Sequence, residues 1–232
     1  MLEALLTPVD LYCERTGPQV WSEPLNALTN LAFVAAGLWG LALARRSGAD
    51  GFVRALGWLV VAIGLGSGLF HTVANRLTVW FDVVPIALFI LAYTVFVLRR
   101  FLLLGWLATA AGFAAFHLAA GAATAAIPAP LVAASNGSVG YLPGLAGLAL
   151  FGALLAARGR PAGRAVLAAA AVFVVSLTMR AIDPRVCAAL PIGTHFLWHL
   201  LNATVLAILL AAAVRHGAAR ARHLPQEKGA GA

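Results

Sequence analysis

The stretch GLGSGLFHTVANRLTVWFD, residues 64–82, decides the fold. It joins the end of one membrane-grade apolar segment to the start of the next, and it carries Ser67, His71 and Asp82 inside that apolar run. A second stretch, GTHFLWHLLNA, residues 193–203, sets His195 and His199 at the head of the last apolar segment. Ionisable side chains at membrane depth are costly, so they mark a functional site by default. His195 and His199 are i, i+4 neighbours, as are Ser67 and His71, which puts each pair on one helix face. A single membrane histidine is more often an interhelical hydrogen-bond partner than a ligand. Three imidazoles with a fourth position left for water are instead the ligand set of a catalytic zinc.

Outward from these stretches, the 232-residue chain is 62% hydrophobic and 10% charged, with a mean hydropathy of +0.92. Soluble domains carry roughly 25% charged residues. The composition therefore predicts an all-α membrane protein with a single domain. A crossing needs about 20 mostly apolar residues. Seven such segments are read, near 26–44, 55–73, 80–98, 101–118, 139–157, 165–182 and 195–214. The intervening 119–142 is broken by proline and glycine and reads as a loop or short surface helix. The opening residues lack a basic, then long apolar, signal pattern, so insertion would rely on the first span.

The net charge of +8 raises the question of nucleic acid, and the placement of the charges answers it. Twelve of the sixteen Lys and Arg fall in one set of loops: Arg45, Arg46 and Arg54; Arg99 and Arg100; Arg158, Arg160 and Arg164; Arg215, Arg220, Arg222 and Lys228. The positive-inside rule puts that set in the cytoplasm, the N-terminus outside and the C-terminus inside, which needs an odd number of spans. The basic excess is thus a topology signal, and no nucleic-acid partner is expected. The domain reading follows: an extracytoplasmic segment over 1–25, a seven-transmembrane catalytic domain over 26–215 and a basic cytoplasmic tail over 216–232, read as disordered. Alanine-rich spans and a short tail suit a bacterial inner membrane.

That topology used only Lys and Arg, yet it brings His71 and Ser67, Asp82, and His195 with His199 to one depth near the outer leaflet, from three helices. Asp82 is expected in the first turn of its span. Cys13 and Cys187 both fall on the outer, oxidising side, where a bridge is favoured over two free thiols. Asp10, Glu14 and Glu23 cluster before the first span. They suit a hard cation such as calcium, although a solvated acidic surface is the plainer reading. Arg180 and Asp183, at i, i+3, read as an interfacial ion pair, and His117 as an interfacial residue.

These residues resemble the alkaline ceramidase family, within the wider membrane hydrolase superfamily that includes the adiponectin-type receptors. The likeness rests on SGLFH with Ser67 and His71, on Asp82, on HFLWH with His195 and His199, and on the opening YCER…W.EPLNALTN. It covers residues from about 9 to 203. It implies that His71, His195 and His199 bind zinc, that Asp82 orients or deprotonates the water, and that Ser67 stabilises the oxyanion. It further implies a calcium site drawing on Asp10, Glu14 and Glu23, and a Cys13–Cys187 disulfide. Thr16 stands where the family shows an asparagine ligand. The expected activity is hydrolysis of a long-chain N-acyl lipid, ceramide-like and taken from the bilayer, to a fatty acid and an amine such as a sphingoid base. Two other readings stay open: a hydrolase of a different acyl lipid, and a receptor-like or transport protein with a structural zinc.

Overall fold

The computed structural model describes residues 2–217. It has seven helices long and apolar enough to cross a membrane. They are α1 (Pro24–Arg46), α2 (Gly51–Val73), α3 (Arg76–Phe101), α4 (Trp106–Ala125), α5 (Ser138–Ala157), α6 (Ala162–Val186) and α7 (His195–His216). The expectation of an all-α, seven-helix membrane protein holds. Two other expectations concern the ends of the chain. The helical bundle runs from Pro24 to His216, close to the boundaries read from hydropathy. The tail, from residue 218 onward, lies outside the described residues.

Local chemistry explains where the helices begin and end. The Asp50 carboxylate caps α2 by accepting from the Phe52 and Val53 N–H groups. The helix stops at Ala74, in the left-handed region at φ 41°. Asn75 at once opens α3 with a reciprocal capping box through Thr78. That cap starts α3 at Arg76 rather than near residue 80, so Asp82 lies in the second turn and not the first. At its other end α3 runs on to Phe101 through a π-helical turn over Val97–Phe101. The break before α4 falls at Leu103, with φ 61°, and Gly105. The run FLLLG is uniformly apolar, so hydropathy could not see this break, and α4 begins at Trp106 instead of 101. The connection to α5 contains a short helix, Ala129–Ala134, as expected.

Packing follows the order α3, α2, α1, α7, α6, α5, an arc of neighbouring helices. The short helix α4 sits outside the arc, against the end of α3 and against α5, with Thr109 its one buried residue. Lipid tails offer helices no hydrophobic drive to associate, so close contact must come from packing of small residues. Gly66 is the sharpest case. A Cβ there would come within 1.9 Å of the Phe81 carbonyl oxygen. Pro85, inside α3, has no N–H to offer that carbonyl four residues back. A bare glycine on α2 thus meets a carbonyl freed on α3, and the residues beside them are Ser67 and Asp82.

Residues 2–23 pack over the end of the bundle that carries the connections 74–75, 126–137 and 187–194. Val9 donates to the Ala74 carbonyl at 2.8 Å, Asn136 donates to the Leu11 carbonyl at 3.3 Å, and Cys13 is disulfide-bonded to Cys187. Exposed tryptophans form two sets, Trp21 and Trp80 toward this end and Trp39, Trp58 and Trp106 toward the other. That is the pattern of aromatic belts at two membrane surfaces.

Candidate metal centre

His71 occupies the last turn of α2, while His195 and His199 form the first turn of α7. One ring nitrogen from each lies within 4.8 Å of the others. Ring centroids are 5.1 Å apart for His71–His195 and 4.7 Å for both remaining pairs. All three side chains are buried. The triad expected from sequence is therefore brought together and could hold a metal ion.

The supporting hydrogen bonds point the same way. Glu23 Oε2 lies 2.6 Å from His71 Nδ1. A carboxylate accepts only, so His71 carries its proton on Nδ1 and its lone pair on Nε2. The Thr29 hydroxyl donates to the Leu25 or Asn26 carbonyl, at 2.8 and 3.0 Å. Its oxygen then accepts from His199 Nδ1 at 2.9 Å, which leaves the His199 lone pair on Nε2. His71 Nε2, His195 Nδ1 and His199 Nε2 are buried without any hydrogen-bond partner. A buried polar atom left unpaired costs about 1–3 kcal/mol. Three buried imidazoles, each with an unpartnered nitrogen and each offering one ring nitrogen within 4.8 Å of the others, are a donor set that a divalent metal satisfies.

Behind His71, Glu23 is held in turn by Arg15 Nε at 2.5 Å and Asn26 Nδ2 at 3.1 Å. Burial alone would push the Glu23 carboxyl up, but the hydrogen bonds and charges of His71 and Arg15 outweigh it and keep the group below the usual carboxylate range. The carboxylate thus stays ionised, as an orienting partner for a metal-ligating histidine requires. Glu23→Gln is expected to lower metal affinity about 10–100-fold, as losses of such partners do. Titration of the purified variant with a competing chelator measures this, and unchanged affinity would show that Glu23 does not support the ligand.

His195 is positioned by a different device. Asp183 accepts from the backbone N–H groups of Cys13 at 3.1 Å, Thr194 at 2.6 Å and His195 at 2.9 Å. Gly193, at φ 64°, turns the chain there, and a Cβ would lie 2.1 Å from Asp183 Oδ1. Asp183 is therefore not the ion-pair partner of Arg180 that its i, i+3 spacing suggested. Three backbone donors from distant segments claim it, and Arg180 turns elsewhere. The Tyr12 ring stacks on His195 at 3.6 Å between centroids, with an interplanar angle of 19°. Burial pushes the Tyr12 phenol well above its ordinary range, so it remains protonated.

Ser67 and Asp82 line a cavity shared with His195 and His199. The cavity holds about 1080 Å³, counting space open to the surroundings. On α7 it reaches from His195 to Leu209, on α6 from Arg180 to Val166 and on α3 from Asp82 to Val97. At 1.5 Å per residue each run is roughly 21 Å of helix axis. Beyond the histidines the wall is Phe89, Tyr93, Phe151, Val166, Phe173, Leu206 and similar apolar side chains.

The carboxylates proposed for calcium do not gather. Asp10 is exposed. Glu14 accepts from the Leu25 and Asn26 N–H groups at 2.6 and 2.8 Å, and so caps the start of α1. Glu23 is committed to Arg15, Asn26 and His71. With Arg15 already neutralising Glu23, the donor set does not fit a calcium ion. His117 lies twelve positions into α4, bonds the Phe113 carbonyl at 3.0 Å and does not line the cavity.

Sequence reasoning did not single out Tyr12, Arg15, Thr29 or Trp198 as parts of the site. Polarity in an apolar run, at Thr29, was the one signal available for any of them. No protein-family model matches the chain, and no curated protein matches it.

Proposed function

We propose that the chain is a zinc-dependent hydrolase of the bilayer, cleaving the amide bond of a long-chain N-acyl lipid to a fatty acid and an amine. The observation that carries this reading is the convergence of three buried histidines, two of which, His195 and His199, line a long apolar cavity that has Asp82 and Ser67 in its wall. A structural metal would be closed by four protein ligands. Here three imidazoles converge, and no fourth His, Cys, Asp or Glu joins the group among the described residues.

His71, His195 and His199 would hold the ion. When bound, zinc on three neutral imidazoles supplies Lewis acidity, which makes water a competent nucleophile near neutral pH. Asp82 accepts a proton from the attacking water and passes it to the leaving nitrogen, as a general base and then a general acid. Ser67 donates its hydroxyl hydrogen to the carbonyl oxygen as negative charge develops there. The C–N bond breaks, the oxygen of water stays on the acyl carbon, and the amine departs with the proton. The apolar wall takes the acyl chain. Its depth of roughly 21 Å exceeds the thickness of one leaflet's hydrocarbon, about 15 Å, so a whole membrane acyl chain fits.

The resemblance to the alkaline ceramidase family supplies the substrate class, a ceramide-like amide. The positive-inside rule supplies the orientation, with the site toward the non-cytoplasmic leaflet. Metal analysis of the purified chain, paired with mass-spectrometric detection of released fatty acid from ceramides, N-acyl amino acids and glycerolipids, tests the reading. About one zinc per chain and release from an amide lipid are expected. Release from glycerolipids alone would replace the amidase by an esterase, and metal without any release would point to the receptor-like alternative.

A further inference from the structure

Asn202 is a polar side chain that the mechanism above does not use. It stands on α7 three residues past His199 and lines the same cavity. His195, His199, Asn202, Leu206 and Leu209 share that wall, at the three- and four-residue spacing of one helix face. Three residues advance a helix by roughly 4.5 Å. Helical side chains tilt toward the N-terminus, which on α7 is the end that carries the histidines. The Asn202 amide therefore leans back toward the metal ligands from about one turn farther in.

Inward of the histidines, the lining residues with polar groups are Tyr93, Thr94 and Asn202. Tyr93 commits its hydroxyl to the Leu209 carbonyl at 3.1 Å, and Thr94 to the Ile90 carbonyl at 2.9 Å. Asn202, half-buried, makes no hydrogen bond to the protein among the described residues. An amide on a membrane helix ordinarily finds a polar partner on a neighbouring helix. Here the neighbouring walls inward of Ser67 and Asp82 are Ile63, Ile86 and Phe89, with Phe33 from α1, and none can serve. A polar group left unpaired in apolar surroundings is costly, so its partner is expected to come from what fills the cavity.

We infer that Asn202 is a specificity residue that hydrogen-bonds a hydroxyl on the acyl chain, at the second or third carbon from the scissile carbonyl. This rests on the hydrolase reading, in which the carbonyl stands at the histidines and the chain runs inward past Asn202. It narrows the ligand from any N-acyl lipid to a hydroxyacyl amide. The side-chain amide both donates and accepts, as a hydroxyl does, so the two match in either direction. An unsubstituted chain presents only methylene groups at that level and leaves the amide unpaired.

The test is equilibrium binding to the purified full-length protein, with turnover followed on the same lipids. The probes are sphinganine amides that differ in the acyl chain alone: palmitoyl, 2-hydroxypalmitoyl, 3-hydroxypalmitoyl and ω-hydroxypalmitoyl. The 2- or the 3-hydroxy chain is expected to bind roughly 3–10-fold tighter than palmitoyl, the range of one neutral hydrogen bond. The ω-hydroxy chain, whose hydroxyl lies far from Asn202, should gain nothing. Asn202→Leu keeps the approximate shape without donor or acceptor, and should bring the ratio of hydroxylated to plain chain to about one, while Asn202→Gln should keep part of the preference. Equal binding of all four amides by the unaltered protein overturns the inference without any variant. So does an equal gain for the ω-hydroxy chain, or a preference that survives in Asn202→Leu. Selective binding without fatty-acid release from any amide would sink the hydrolase reading alone, and release without selectivity would sink this inference alone.

Discussion

His199→Ala is expected to yield a folded protein that carries no metal and releases no fatty acid. The substitution removes one of three converging nitrogens. The loss should exceed the roughly 10–100-fold cost of removing a supporting partner, because a bond to the metal itself is gone. The bundle should survive. His199 contributes an unpartnered buried nitrogen, so in the metal-free state its removal relieves a cost as well as leaving a cavity. The one hydrogen bond given up is to Thr29, whose own hydroxyl hydrogen still reaches the Leu25 or Asn26 carbonyl. Metal content by elemental analysis, with helicity measured on the same sample, decides the matter. Full zinc occupancy in the variant would mean that the three histidines do not share an ion.

Asp82→Asn separates catalysis from binding. Asn has the same shape and no basic oxygen, so it cannot take the proton of the attacking water. Loss of a general base costs about 10²–10⁴ in rate. Metal content should be unchanged, because Asp82 is not among the converging ligands. Stability should change little, because Asn keeps a side-chain oxygen that can accept from the Ser67 hydroxyl. The readout is turnover per bound metal. Undiminished turnover would remove Asp82 from the mechanism. Loss of metal together with turnover would make it a ligand.

Much of this was legible in the residues, for reasons that differ from element to element. Seven spans could be read because bilayer thickness imposes a length on each apolar run. The convergence of His71 with His195 and His199 could be read because helix period and span direction together fix depth. The first turn of α3 and the start of α4 could not. One depended on the Asn75–Thr78 cap and the other on a left-handed residue inside an apolar run. The partners of Glu23 and Asp183 were also hidden. His71, forty-eight residues from Glu23, and Cys13, 170 residues from Asp183, meet those carboxylates only after folding. Local spacing therefore proposed Arg180–Asp183, and the family resemblance a calcium site, whereas the folded chain engages Glu14 and Asp183 with backbone N–H groups and Glu23 with a guanidinium and a histidine.

The placement of His195 and His199 on α7 bears on biosynthesis. The ribosome delivers helices to the membrane in order, and α7 is the last of the seven spans among the described residues. The chain before α7 brings only one of the three histidines, so the triad is incomplete until α7 is present. The Cys13–Cys187 bond closes just before α7 begins and covalently ties the N-terminal strap to the α6–α7 connection. A metal held by all three histidines can therefore bind only once α7 stands beside α2, so occupancy of the triad would report that these two helices have docked.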